Sequence, residues 1–178
     1  MSELVDCLTN VYILCLCEGG AEMAVMNMLL DNNKLIFNRN NLIRGCVHPR
    51  MDIINIENKF LKKSYEKNVV ILRILDSKNE KFKLNKPYRE MFDVKKCLTK
   101  PEIEILVIHD CCKLKEYIKV KSTIKPSVFC KTHLKIKDIK SKDFIDRYFD
   151  INKLLVALKS YKEKSANDHY SIYDLVRQ

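Results

Sequence analysis

Val11-Tyr12-Ile13-Leu14-Cys15-Leu16-Cys17-Glu18-Gly19-Gly20 is an apolar run that stops abruptly at a carboxylate and two glycines. A run this short, without polar alternation, reads as a strand buried on both faces of a sheet. Ala21, Ala24, Val25, Met28 and Leu29 then fall at helical spacing through Leu30. A helix is expected there, packed back on the strand. The glycines permit a tight turn and close approach of a ligand. In open α/β sheets, sites form outside the carboxyl ends of strands, and that is where Glu18 falls.

Val69-Val70-Ile71-Leu72-Arg73-Ile74-Leu75 is the second run of this kind, and it too ends in an acid, Asp76. In a parallel sheet the two strands would bring Glu18 and Asp76 to one edge. Glu22, one turn into the helix, can face the same edge, and Glu80 lies four residues beyond Asp76. Arg73, inside an apolar strand, points either to a buried acidic partner or to an edge position. The competing reading of both acids is that the strands simply end in solvent.

Further elements are expected as follows. A helix should run from about Ile53 to Tyr65, and a strand should lie within Met91–Leu98. Thr99-Lys100-Pro101-Glu102 matches a capping box with proline at the first helical position, so a helix is expected from there to about His109. Ser127 is placed to cap a short helix through Cys130, and Asp150 to cap one from Ile151 to about Lys162. Helices are also expected over 141–149 and 171–176. The fold class is thus α/β, a parallel-rich sheet flanked by helices. The chain divides into an α/β core, 1–112, and a smaller, mostly helical basic extension, 113–178, packed on it.

With 178 residues, 47% of them hydrophobic, the chain is long enough for a substantial core. No apolar stretch is long enough to span a bilayer, and the N-terminus lacks the basic start of a signal peptide. A cytoplasmic protein without membrane attachment is expected. The 8 cysteines then read as free thiols rather than disulfides. Those of Cys15-Leu16-Cys17 are expected on opposite faces of their strand, and Cys111-Cys112 lacks zinc-site spacing.

The formal charge is +10, and the excess is local: Lys113 to Lys164 holds 15 Lys or Arg against 6 Asp or Glu. A one-sided basic distribution points to a polyanion, nucleic acid above all. Lys113, Lys115, Lys119, Lys121, Lys131 and Lys135 are the candidate contacts, with Lys137 beside them. Of the 15 basic residues only Arg147 is an arginine, the usual reader of base edges, so contact with the phosphate backbone is favoured over sequence readout. The competing reading is a solvated lysine-rich face. No P-loop, dinucleotide fingerprint or G-x-S-x-G elbow is present. His109 reads as a histidine at a helix end, or as a proton carrier near the acidic edge. Clustered carboxylates at that edge suit Mg²⁺ or Mn²⁺, which act on phosphodiesters.

Cys17-Glu18-Gly19-Gly20-Ala21-Glu22 resembles the E-G-x-x-E opening of Toprim and Toprim-like proteins, among them the RloB and OLD-type nucleases. Leu75-Asp76-Ser77-Lys78 stands where those families carry an Asp-x-Asp pair, with Asp76 as the first aspartate and Lys78 in place of the second. Thr99-Lys100-Pro101-Glu102-Ile103-Glu104 through His109 resembles the RloB-like segment in which an acid precedes an apolar stretch ending in histidine, and Glu104 matches that acid better than Glu102. The resemblance covers roughly residues 11–110. It implies a Toprim-like fold and catalytic carboxylates Glu18, Asp76 and Glu104, with Glu80 as a substitute for the missing aspartate. Glu18, Asp76 and Glu80 would bind Mg²⁺ or Mn²⁺. It also implies a cation near the scissile phosphate, which no single lysine matches. The function implied is a metal-dependent nuclease acting on DNA or RNA in a phage or mobile-element conflict system. Lys78 favours the alternative, a catalytically silent nucleic-acid-binding or protein-interaction module, including a phage-encoded inhibitor. A protein partner or a homodimer fits either.

Overall fold

A computed structural model describes residues 3–77, 81–141, 143–165 and 169–177. Its centre is a four-stranded sheet of β1 (Tyr12–Cys17), β2 (His48–Pro49), β3 (Val69–Leu75) and β4 (Asp93–Leu98), in the order β2-β1-β3-β4. All three pairings are parallel. Tyr12 pairs with Val69 and Cys17 with Ile74, so β1 and β3 end together. The fold class is the expected one: α/β, with helices flanking the sheet and a helical C-terminal region.

The apolar runs are strands because both of their faces are covered. On one face Ile13, Cys15, Cys17, Val70, Leu72, Ile74 and Cys97 join the larger hydrophobic cluster. On the other, Leu14, Leu16, Val69 and Ile71 pack against Ile56, Phe60, Leu61 and Leu84. Each fully buried Leu, Ile or Phe contributes roughly 1.5–3 kcal/mol. Cys15 and Cys17 therefore share a face, which corrects the expectation of opposite faces; the period of a strand is two residues. Among the described residues every cysteine is a free thiol. Arg73 is not at an edge, because β3 lies between β1 and β4. It is buried, with its guanidinium carbon 4.1 Å from the centre of the Phe82 ring, a cation–π contact that gains strength when desolvated.

The helices are α1 (Glu3–Leu8), α2 (Gly20–Asp31), α3 (Ile53–Ile56), α4 (Lys86–Arg89), α5 (Ile105–Asp110), α6 (Leu114–Ile118), α7 (Pro126–Thr132), α8 (Phe144–Tyr148) and α9 (Ile151–Lys164). Asp52 caps α3 through the Asn55 amide at 2.8 Å. That helix continues as a π turn, Glu57–Leu61, and stops four residues short of Tyr65, whose hydroxyl donates instead to the Phe60 carbonyl. Asp150 caps α9 as expected, accepting from the Lys153 amide at 2.9 Å. α7 is preceded by Lys125 and opens on Pro126, so Ser127 lies inside it rather than capping it.

The expected helix at Pro101 is displaced. Thr99 extends the sheet ladder, its amide donating to the Leu75 carbonyl, and α5 starts only at Ile105. Glu102 does not close a capping box. Its carboxylate accepts from the Ser127 amide at 3.0 Å and from Lys140 Nζ at 3.2 Å. The local signal lost to these tertiary partners.

The helical C-terminal region covers the sheet face occupied by the larger cluster. That cluster is continuous across position 112: Phe129, Leu154, Ala157, Leu158 and Ile172 belong to it together with β1 and β3 residues. The chain end returns to the sheet, where the Leu98 amide donates to the Tyr170 carbonyl and the Ile36 amide to the Leu175 carbonyl. No helix among the described residues is long and apolar enough to cross a membrane.

Candidate active site

β2 and β3 lie on opposite sides of β1. The chain therefore changes direction across the sheet at β1, and the crevice beyond the carboxyl ends of β1 and β3 is a topological switch point. Glu18 follows β1 and Asp76 follows β3. The register makes them neighbours: the Asp76 amide donates to Glu18 Oε2 at 2.9 Å, and the Glu18 amide donates to the Ile74 carbonyl. Glu22 enters from the first turn of α2 and is buried. Glu104 enters from the residue preceding α5 and is also buried. Glu18, Glu22, Asp76 and Glu104 line one cleft of about 380 Å³ with Lys140.

The glycines do different work. A Cβ on Gly19 would stand 3.0 Å from Glu22 Oε2, so this position keeps the Glu22 carboxylate close to the backbone. A Cβ on Gly20 would meet nothing within 4 Å.

Crowding shows in the acid–base chemistry. Burial, reinforced by the charges of Asp76, Glu104 and Glu18, pushes the Glu22 carboxyl up to about 7. Burial and then the charge of Glu18 push Asp76 up to about 6. Burial also disfavours ionised Glu102, but hydrogen bonds from Ser127 and the charge of Lys140 outweigh it and hold Glu102 below the usual carboxylate range. Two cations flank the acids. Arg50 Nη1 lies 3.4 Å from Glu18 Oε1, and Lys140 Nζ lies 3.3 Å from Glu104 Oε1.

Of the residues singled out in the sequence, Glu18, Asp76 and Glu104 come together, and Glu22 joins them. Lys78 and Glu80 lie outside the described residues. Lys115, Lys119, Lys121, Lys131 and Lys135 are exposed and do not line the cleft. Lys113 is partly exposed and pairs with Glu116 at 2.6 Å. Arg50 and Lys140 are site residues that no motif of the sequence marks. Arg50 is set beside Glu18 by a two-residue strand, too short for any periodicity. The one available signal for Lys140 was Ile139, an apolar residue in a polar stretch, which is buried and lines the cleft.

Among the described residues no three His, Cys, Asp or Glu side chains are already drawn together as ligands of a metal ion. The donor chemistry nevertheless fits a hard divalent ion. Four carboxylates face one cleft, and burial with the charge of neighbouring acids raises the proton affinities of Glu22 and Asp76, which a divalent ion would offset.

His109 is not part of this cleft. It ends α5 with Nδ1 2.9 Å from Ser160 Oγ and its ring edge-on to Tyr161. Burial, with the charge of Lys164, lowers its pKa from 6.5 to about 4. With Lys100, Lys121 and His169 it lines a second, separate cavity. The fold therefore holds His109 neutral, while the unfolded chain protonates it near 6.5. Its stabilisation is complete above that value and is lost as pH falls towards about 4. The loss is on the order of 3 kcal/mol. Asp76 and Glu22 act in the opposite sense over this range, so a difference between variants is the measure. In urea unfolding, His109→Gln should lose less stability than wild type between about pH 7 and about pH 4.

Compared with known proteins, the chain matches no family model, and no curated protein or solved structure is significantly similar to it.

Proposed function

We propose that this chain is a Toprim-like, metal-dependent nuclease acting on DNA or RNA in the cytoplasm. The observation that supports it best is the convergence of Glu18, Asp76 and Glu104 on one cleft at the switch point of a parallel sheet. Glu18 and Asp76 would hold Mg²⁺ or Mn²⁺, with Glu104 completing the acidic wall. The bound ion supplies Lewis-acid charge at a phosphodiester. Arg50 and Lys140 are placed to attract the phosphate, and Lys140 is a candidate for the lysine that the family pattern requires. The Asp76 amide orients Glu18 through its hydrogen bond. The exposed lysines between 113 and 135 would hold the flanking backbone. A role in a phage or mobile-element conflict system follows from the resemblance of the E-G-x-x-E and acid-to-histidine segments.

A second reading has its own observation. Lys140 bridges Glu102 and Glu104 at 3.2 and 3.3 Å, so part of the cleft's negative charge is already balanced internally. This favours a silent nucleic-acid-binding module. Incubating the chain with single- and double-stranded DNA and RNA, with and without Mg²⁺ or Mn²⁺, separates the two. The nuclease cleaves only with the ion. The silent module binds without cleaving under every condition. In both cases binding should weaken steeply with salt, log K falling by roughly 0.7–0.9 per log salt for each phosphate neutralised.

A further inference from the structure

The turn from Lys100 to Ile105 has a cavity on either side. Ile103 and Glu104 line the carboxylate cleft, whereas Lys100, Pro101 and Ile105 line a second cavity of about 260 Å³. Lys100 follows β4 closely, so this cavity opens at the same sheet edge, one strand beyond Asp76.

Its chemistry is mixed in a specific way. Pro101, Leu114, Tyr117 and Ile118 make apolar walls. Ile118 is half exposed, an apolar side chain left open to solvent at this site. Lys121 and Lys164 are exposed among the residues that line the cavity. His109 lies in the lining and is 7% exposed. Its Nδ1 is engaged by Ser160 Oγ, which leaves Nε2 as the ring nitrogen available to an occupant. According to its tautomer Nε2 offers an acceptor or a donor, beside the further polar groups of Tyr161, Ser165 and His169 in the lining.

An occupant that matches this lining offers a flat or apolar body, a hydrogen-bonding edge and an anionic group. The volume lies below the roughly 300–1,000 Å³ of sites for drug-sized ligands, which limits it to one compact unit. We propose that this cavity is a nucleotide subsite. The base lies against Tyr117 and Ile118 with its edge on His109 Nε2, and the phosphate lies on Lys121 and Lys164. This rests on the nuclease reading, in which a strand crossing the carboxyl edge leaves its scissile phosphate at the acids and a neighbouring nucleotide here. A free mononucleotide offers the same chemistry.

The test is equilibrium binding of adenosine 5′-monophosphate to the full chain in EDTA, beside ribose 5-phosphate and adenosine. The monophosphate should bind at least about tenfold more tightly than either fragment, since it alone engages both walls and lysines. Lys121→Ala/Lys164→Ala, two exposed positions, should reduce its affinity to that of adenosine. Glu18→Gln/Asp76→Asn should leave it unchanged. Displacement of the monophosphate by a 5′-phosphorylated single-stranded oligonucleotide assigns the subsite to a strand, and failure to displace assigns it to a free nucleotide. Ribose 5-phosphate binding as tightly as the monophosphate, or an affinity unmoved by the lysine substitutions, overturns the inference. A chain that binds the monophosphate but cleaves nothing keeps the subsite and loses the nuclease. A chain that cleaves but does not bind it does the reverse.

Discussion

Asp76→Asn combined with Glu18→Gln is expected to reduce ion-dependent cleavage by at least about a hundredfold. Replacing partners of metal ligands one shell further out already costs roughly 10–100-fold. Both amides keep the shape of the acid but lose the anionic oxygens that hard ions prefer. The Asp76 amide that orients Glu18 belongs to the backbone and survives the change. The stability effect should have the opposite sign. The Asp76 carboxyl is pushed up by burial and by the charge of Glu18, so ionised Asp76 costs the native state free energy at neutral pH. The double variant should therefore melt no lower than wild type. Cleavage lost together with a lower Tm would assign these acids a structural role instead.

Phe129→Ala carries the other large effect. Phe129 is fully buried in α7, edge-on to Tyr117 at 5.4 Å and stacked on His133 at 4.5 Å. Truncating a buried phenylalanine costs about 3–5 kcal/mol, a large part of the roughly 5–15 kcal/mol that holds a native protein together. Because Phe129 shares its cluster with β1 and β3 residues, the loss should lower one cooperative transition of the whole chain. A first transition at reduced stability, followed by a second at the wild-type position, would show that the region after residue 112 unfolds separately from the sheet. Urea denaturation followed by far-ultraviolet circular dichroism distinguishes these outcomes.

The features legible in the sequence are those decided by the period and length of apolar runs. Tyr12–Cys17 and Val69–Leu75 are continuous because both sheet faces are covered, and their shared register puts Glu18 beside Asp76. Glu22 was readable for the same reason, one turn into the helix that follows β1. Thr99 and Glu102 misled because a capping box is a local pattern. Here the Thr99 amide serves the sheet, while the Glu102 carboxylate serves Ser127 and Lys140. Arg50 and Lys140 were hidden because their places depend on segments without periodicity. Arg50 follows a two-residue strand, and Lys140 lies in the turn between α7 and α8. The second cavity was hidden for a similar reason: the Lys100–Ile105 turn, α6 and α9 line it together, and they are distant in sequence.

Calorimetric titration of Mn²⁺ into wild type and into Glu18→Gln/Asp76→Asn bears most directly on the acidic cleft. Saturable binding is expected in wild type and should vanish in the double variant, while the melting temperature of the ion-free protein stays the same or rises. Wild type without saturable binding, or a double variant that binds the ion equally well, would contradict a divalent-ion site at Glu18 and Asp76.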